Sequence, residues 1–334
     1  MTHDPINQRF FNVVAAARVG DAMGTPTEGL TPEQIDTKFG WVTEFEGDGT
    51  DDSLMATILA ESLHATGGFA TSDEWAAQIL QHQPEIRAKR NMFFVSVLHL
   101  VTKLELGYRP ADVAVGNMAS TSSAMCIWPV ALVNAGQPEN AAAQAYELAG
   151  LIHVNEVDHC TDAAAALAAA IAAALLPGAS IGSAIEAAVK VIRHTSGTAF
   201  RDVLLEAVQL ASEAKDYAEF RSEYHHRFQR PLFCDSLETV PAAFALAVLA
   251  NGDVRTAVEY GANFGRDADT IASMTGALCG ALSSDIPEAW IEGLGEGAVA
   301  SAQQLAGDLV VTARSRYATE AERLRTADTL LGGI

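Results

Sequence analysis

Residues 163–176 read AAAALAAAIAAALL, an unbroken apolar run between Thr161-Asp162 and Pro177-Gly178. Alanine loses no side-chain entropy on entering a helix, so this run favours helix strongly. It is shorter than the about 20 residues that a typical helix needs to span a bilayer. A polar cap before it and a Pro-Gly stop after it fit a central helix buried by other helices.

The rest of the chain supplies those neighbours. Apolar positions recur with helical spacing over 9–23. A strong helix is expected from Asp51, with Leu54, Met55, Ile58, Leu59 and Leu63 on one face and Gly67-Gly68 as its stop. Similar patterns predict helices at 73–83, 91–106, 129–134, 138–153, 181–194, 199–213, 216–227, 239–250, 253–263, 269–283, 287–293 and 297–326. Thr25–Gly49, rich in Gly, Pro and Thr, reads as a loop, and the small polar segment Gly116–Ile127 as an active-site loop. No stretch alternates as a strand would, no internal repeat is evident, and no Pro/Gly/Ser-rich linker divides the 334 residues. The expected architecture is all-α, a single domain over 1–334.

The formal net charge is −21, which does not suit nucleic acid or anionic membranes as partners. Cys126, Cys160, Cys234 and Cys279 are far apart and form no C-x-x-C pair, so free thiols in a reducing cytosol are expected. The N-terminus MTHDPINQRFFNVV lacks the basic and apolar regions of a signal peptide, again favouring a cytoplasmic protein. Oligomeric state is not legible.

Two short constellations carry chemistry. Gly49-Thr50-Asp51-Asp52-Ser53 opens one expected helix, and Gly265-Arg266-Asp267-Ala268-Asp269-Thr270 opens another. Either alone reads as a helix cap, because Asp and Thr favour the positive end of the helix dipole. A cap needs one side chain, however, and adjacent carboxylates repel unless a cation lies between them. Two such clusters converging in space suit hard divalent cations, since carboxylate and hydroxyl oxygens are their ligands.

With these residues in view, the chain resembles the ADP-ribosylglycohydrolase family. Gly20-Asp21-Ala22-Met23-Gly24-Thr25-Pro26-Thr27-Glu28 is similar to the family's G-D-A-x-G-x-P-x-E segment. Thr50-Asp51-Asp52-Ser53 is similar to its T-D-D-T/S motif, and Asp267-Ala268-Asp269-Thr270-Ile271-Ala272 to D-x-D-T-x-A. The order and spacing match from about residue 9 to Trp290. The resemblance implies a compact helical fold with two Mg²⁺ or Mn²⁺ ions. By position it makes Thr50, Asp51, Asp52, Asp267, Asp269 and Thr270 their ligands and puts Glu28 beside them. Asp21 reads instead as a cap or turn former near Gly20 and Gly24. His153 stands where the family often has a cleft histidine. Ser123 and Met125, in the small polar segment, are further candidate substrate contacts. So is Arg266, whose alternative is a salt bridge. Asp158 and His159 are weaker candidates, and His225-His226 reads as a solvated helix face.

One stretch departs from the family. Thr121-Ser122-Ser123-Ala124-Met125-Cys126-Ile127-Trp128-Pro129 replaces an N-G-x-x-M-R-x-x-P pattern, keeping Met125 and Pro129 but neither Asn-Gly nor the arginine. The implied reaction is hydrolysis of an N- or O-glycosidic bond to ADP-ribose or a related ribosyl group, with Glu28 or Asp52 moving the proton. The substrate is a small molecule or an ADP-ribosylated partner. A nucleoside or other N-glycoside is the alternative substrate. Two other classes stay open: a prenyl-diphosphate enzyme, whose D-D-x-x-D spacing fails because Met55 takes the last position, and a non-catalytic structural or ADP-ribose-binding protein on the same fold.

Overall fold

The structure is a computed structural model that describes residues 5–332. Seventeen α-helices joined by turns make up the architecture, and no strand occurs among the described residues. The apolar run forms the helix His159–Ala174, buried at every position from Cys160 to Ala174. No helix is long and apolar enough to cross a membrane among the described residues. The helix starts before the run, so Thr161-Asp162 lies inside its first turn rather than capping it. Asp162 is instead a buried carboxylate that accepts from the Tyr146 hydroxyl at 2.5 Å and from Arg193 Nη2 at 2.8 Å.

A seam of glycines determines where the functional residues meet. The N-terminal helix Pro5–Gly24 packs antiparallel against Ala268–Leu282, with Gly280 facing Asn12, Gly276 facing Ala16 and Gly20 facing Ala272. A Cβ at Gly280 would stand 2.7 Å from the Asn12 carbonyl oxygen, and one at Gly20 2.5 Å from the Ala272 carbonyl carbon. Only glycine permits backbones this close. The seam carries the end of the first helix, with Asp21, onto the start of the second, with Asp269.

Several boundaries differ from the sequence expectation. The Thr25–Gly49 segment is not all loop: it contains a 3₁₀ turn at Thr25–Thr27 and a helix at Pro32–Lys38. That short helix starts at a Thr31–Gln34 capping box. A helix at Gln83–Ala88 was not expected, and the one after it spans Val95–Glu105. The helix expected over 138–153 ends at Ala149, so His153 lies in the turn that follows. The C-terminal run Glu288–Leu331 is broken at Gly295 (φ 76°), between the two helices expected there.

Candidate active site

The helix Asp51–Ala65 and the helix Ala268–Leu282 both begin in one cleft of about 340 Å³. Elsewhere the chain caps helices conventionally: Asp216, Asp235 and Asp253 each accept a backbone N–H of the first turn. At the two acidic starts this does not happen. Neither Thr50 nor Asp267, the N-cap residues, makes a side-chain cap bond.

The Asp51 helix is capped from outside by Asp21. Asp21 Oδ2 accepts from the backbone N–H of Thr50 at 2.8 Å and of Ser53 at 3.0 Å, and from the Ser53 hydroxyl at 2.6 Å. Its Oδ1 takes the Thr50 hydroxyl at 2.8 Å. Asp21 therefore does act as a cap, but on a helix 30 residues downstream rather than on a turn near Gly20. Because Asp21 takes two of the N–H groups at this helix start, those of Thr50 and Ser53, the cap position does not depend on Asp51 or Asp52. The Thr50 hydroxyl, donating to Asp21, keeps lone pairs free to accept or ligate.

The two clusters converge. Oxygens of Asp21, Asp52 and Asp269 lie within 4.8 Å of one another, as do those of Glu28, Asp267 and Asp269. Thr270 Oγ1 crosses to Asp52 Oδ2 at 3.2 Å. Glu28 is brought in by its neighbours: the N–H of Gly29 donates to the Arg266 carbonyl at 2.6 Å, and the N–H of Arg266 to the Leu30 carbonyl at 2.8 Å. Thr121 Oγ1 donates to Asp267 Oδ2 at 2.8 Å.

The electrostatics are unfavourable as they stand. Burial, then repulsion from Asp21 and Asp269, pushes the Asp52 carboxyl well above its usual range. Burial, then Asp267 and Glu28, does the same to Asp269. Asp52 Oδ1 and Asp269 Oδ1 are buried without any hydrogen-bond partner. Such atoms are costly unless something occupies them. A cation among them would reverse the repulsion, and the all-oxygen donor set fits a hard one.

The structure brings Glu28, Thr50, Asp51, Asp52, Asp267, Asp269 and Thr270 to the cleft, with Met125 in its wall. It does not bring Ser123, His153 or Arg266 there. His153 is fully buried, its Nε2 3.0 Å from Ser120 Oγ and its Nδ1 2.9 Å from Ser123 Oγ. Burial holds its pKa down at about 3. Arg266, in the left-handed region (φ 61°), turns from the cleft to Glu238, with Nη2 2.9 Å from Oε2 and 2.6 Å from the Arg230 carbonyl. Its salt-bridge reading is the one the geometry supports. Asp158 and His159 are also outside the cleft wall. His225 is not solvated as expected: it is half-buried, with Nε2 3.0 Å from the Phe264 carbonyl, while His226 is exposed.

The wall residues Phe94 and Phe233, an edge-to-face pair with centroids 6.3 Å apart, carry no motif that reveals them. Thr121 lies in the stretch that departs from the family pattern, which hid its role. Two signals pointed to Asp21: its place in the family-like Gly20–Glu28 segment, and its position between two glycines four residues apart, the spacing of a helix–helix contact.

Comparison with known proteins agrees with this geometry. The family model for ADP-ribosylglycohydrolase matches residues 2–319. An uncharacterised protein of Archaeoglobus fulgidus is 29% identical over 299 residues, covering 86% of this chain and 92% of its own length. The ADP-ribosyl-[dinitrogen reductase] glycohydrolase of Rhodospirillum rubrum is 23% identical over 309 residues, covering 88% of this chain and 92% of its own. A solved structure described as an ADP-ribosylglycohydrolase-related protein complex superposes with a TM-score of 0.69 at 21% identity, over 92% of this chain and 99% of that one. With the family model matching residues 2–319 and the fold shared with a family-related structure, the chain belongs to the ADP-ribosylglycohydrolase family.

Proposed function

We propose that the protein is a metal-dependent glycosidase acting on a ribosyl group, with two Mg²⁺ or Mn²⁺ ions in the cleft. The observation that carries this reading is the pair of unpartnered buried oxygens, Asp52 Oδ1 and Asp269 Oδ1, at helix starts whose acidic side chains do not cap. Thr50, Asp51, Asp52, Asp267, Asp269 and Thr270 would hold the ions. When bound, such ions fix vicinal hydroxyls and make water a better nucleophile.

The chain's own groups do the rest. In hydrolysis, water oxygen bonds to C1, the C1–N or C1–O pair leaves with the aglycone, and a proton follows it. Glu28 is the exposed carboxylate of the cluster, reaching to Asp267 and Asp269 from the rim. We assign it the proton transfer, since a general acid or base must meet both water and the leaving group. Asp52, buried against Thr270, serves better as a ligand. Asp21 and Thr121 hold Thr50 and Asp267 in place.

The test is hydrolysis of ribosyl N- and O-glycosides by the purified protein with Mn²⁺ or Mg²⁺ and with EDTA. Metal-dependent release of the aglycone is expected, and Glu28→Gln should lose about 10²-fold or more, the usual contribution of a general acid or base. Turnover indifferent to EDTA would overturn the reading.

A further inference from the structure

Thr121, Ser122 and Met125 belong to a turn in the cleft wall, closed by the N–H groups of Ala124 and Met125, which donate to the Thr121 carbonyl at 2.7 and 2.9 Å. The stretch Ala119-Ser120-Thr121-Ser122-Ser123-Ala124 has no side chain larger than threonine. Small side chains make few contacts, so packing locates such a segment poorly. Yet the Thr121 hydroxyl stands 2.8 Å from Asp267 Oδ2. Directional hydrogen bonds have to supply that placement.

Those bonds centre on His153. Its fully buried ring has Nε2 3.0 Å from Ser120 Oγ and Nδ1 2.9 Å from Ser123 Oγ. These two serines flank Thr121 and Ser122, which line the cleft, and neither lines it themselves. One ring therefore grips the wall segment on both sides. A neutral imidazole has one donor and one acceptor, and a serine hydroxyl can answer either. Ser96 Oγ extends the grip, 3.0 Å from Ser120 Oγ and 2.6 Å from Ser122 Oγ, and Ser122 Oγ is 3.1 Å from Ser120 Oγ. All four serines are buried.

The histidine is itself anchored. Its backbone N–H donates to the Ala149 carbonyl at 3.0 Å, and Asn117 Nδ2 joins the adjacent Ile152 carbonyl, at 2.9 Å, to the Ser96 carbonyl, at 3.1 Å. Ser236 Oγ holds the Ser120 carbonyl at 2.7 Å and Ser123 Oγ reaches the Cys160 carbonyl at 3.3 Å, but each acts on one side of Thr121. The histidine holds both sides at once. A leucine would fill its place without desolvating polar groups. What it could not do is fix the direction of the hydroxyls.

We propose that His153 is a positioning residue of the cleft, holding Thr121 against Asp267 by bonding Ser120 and Ser123 on either side of it. The expected consequence, tighter ion binding, rests on the metal reading above; the placement itself needs no ion.

Mn²⁺ affinity, measured by calorimetry in a double-mutant cycle of His153→Leu and Thr121→Val, tests the proposal. Each single variant should bind about tenfold more weakly, as on loss of a partner outside the ligand set. The double variant should lose no more than either alone, because both remove the same placement. Wild-type affinity in His153→Leu, or losses that add in the double variant, would overturn the proposal, whatever happens to Tm. Should His153→Leu fail to fold, Ser123→Ala removes one side of the grip and enters the same cycle. Hydrogen exchange without metal is the second readout. Residues 119–125 should exchange about tenfold faster or more in the His153 or Ser123 variant, with the helix Ala268–Leu282 unchanged. A wild type that binds no Mn²⁺ would overturn the metal reading, and exchange then decides the placement by itself: unchanged rates over 119–125 would overturn it.

Discussion

Thr121 donates its hydroxyl to Asp267 Oδ2 at 2.8 Å, and both side chains are buried. The bond joins the stretch that departs most from the family pattern to the acidic cluster that keeps it. A hydrogen bond to a charged group contributes about 1.5–3 kcal/mol. Thr121→Val removes the donor at nearly constant shape, and it should weaken Mn²⁺ binding about tenfold or more by calorimetry. Thr121→Ser should restore it. Unchanged affinity in the valine variant would show that Asp267 needs no positioning.

The glycine seam makes a second prediction. Gly280→Ala drives a Cβ toward the Asn12 carbonyl and should cost about 1–3 kcal/mol in urea unfolding, as overpacking does. Gly24→Ala crowds the Ala268 carbonyl and should also weaken Mn²⁺ binding, because the backbone of Asp269 must shift. Gly307 is helical with nothing within 4 Å of a Cβ, so Gly307→Ala should stabilise by about 0.5–1 kcal/mol. Equal effects at Gly280 and Gly307 would contradict the seam.

His159 and Asp235 yield a pH dependence. Burial opposes the charge on His159, but Asp235, 3.5 Å away, and Cys160 outweigh it and raise the pKa from 6.5 to about 10. A folded-state pKa above the unfolded one stabilises most below the unfolded value, and the benefit fades as pH rises through the folded value. The Tm of wild type should therefore fall between about pH 6.5 and pH 10 by more than that of His159→Gln. Parallel curves would dismiss the pair as a stabilising contact.

The fold was legible where one element needed no partner to be read. The Ala163–Leu176 run is apolar on all sides, so it had to be enclosed. The acidic helix starts were legible because Asp51-Asp52 and Asp267-x-Asp269 hold more carboxylates than a cap uses. What escaped depends on contacts distant in sequence. Asp21 looked like a local turn former because nothing in residues 20–24 announces Thr50 and Ser53 as its donors. His153 looked like a cleft residue until Ser120 and Ser123 closed on it, and Arg266 like a substrate contact until Glu238 took it. The helix at Pro32–Lys38 is too short to show a period, though its Thr31–Gln34 box was readable.

The central claim is that the two acidic helix starts form one metal centre. Anomalous diffraction from crystals soaked in Mn²⁺ tests it most directly. Two peaks roughly 3.5–4 Å apart, as in other two-metal sites, are expected between Thr50–Asp52 and Asp267–Thr270. In Asp269→Asn, whose side chain loses a charge at constant shape, at least one peak should weaken or vanish. Ions bound elsewhere, or an empty cleft at saturating Mn²⁺, would contradict the account.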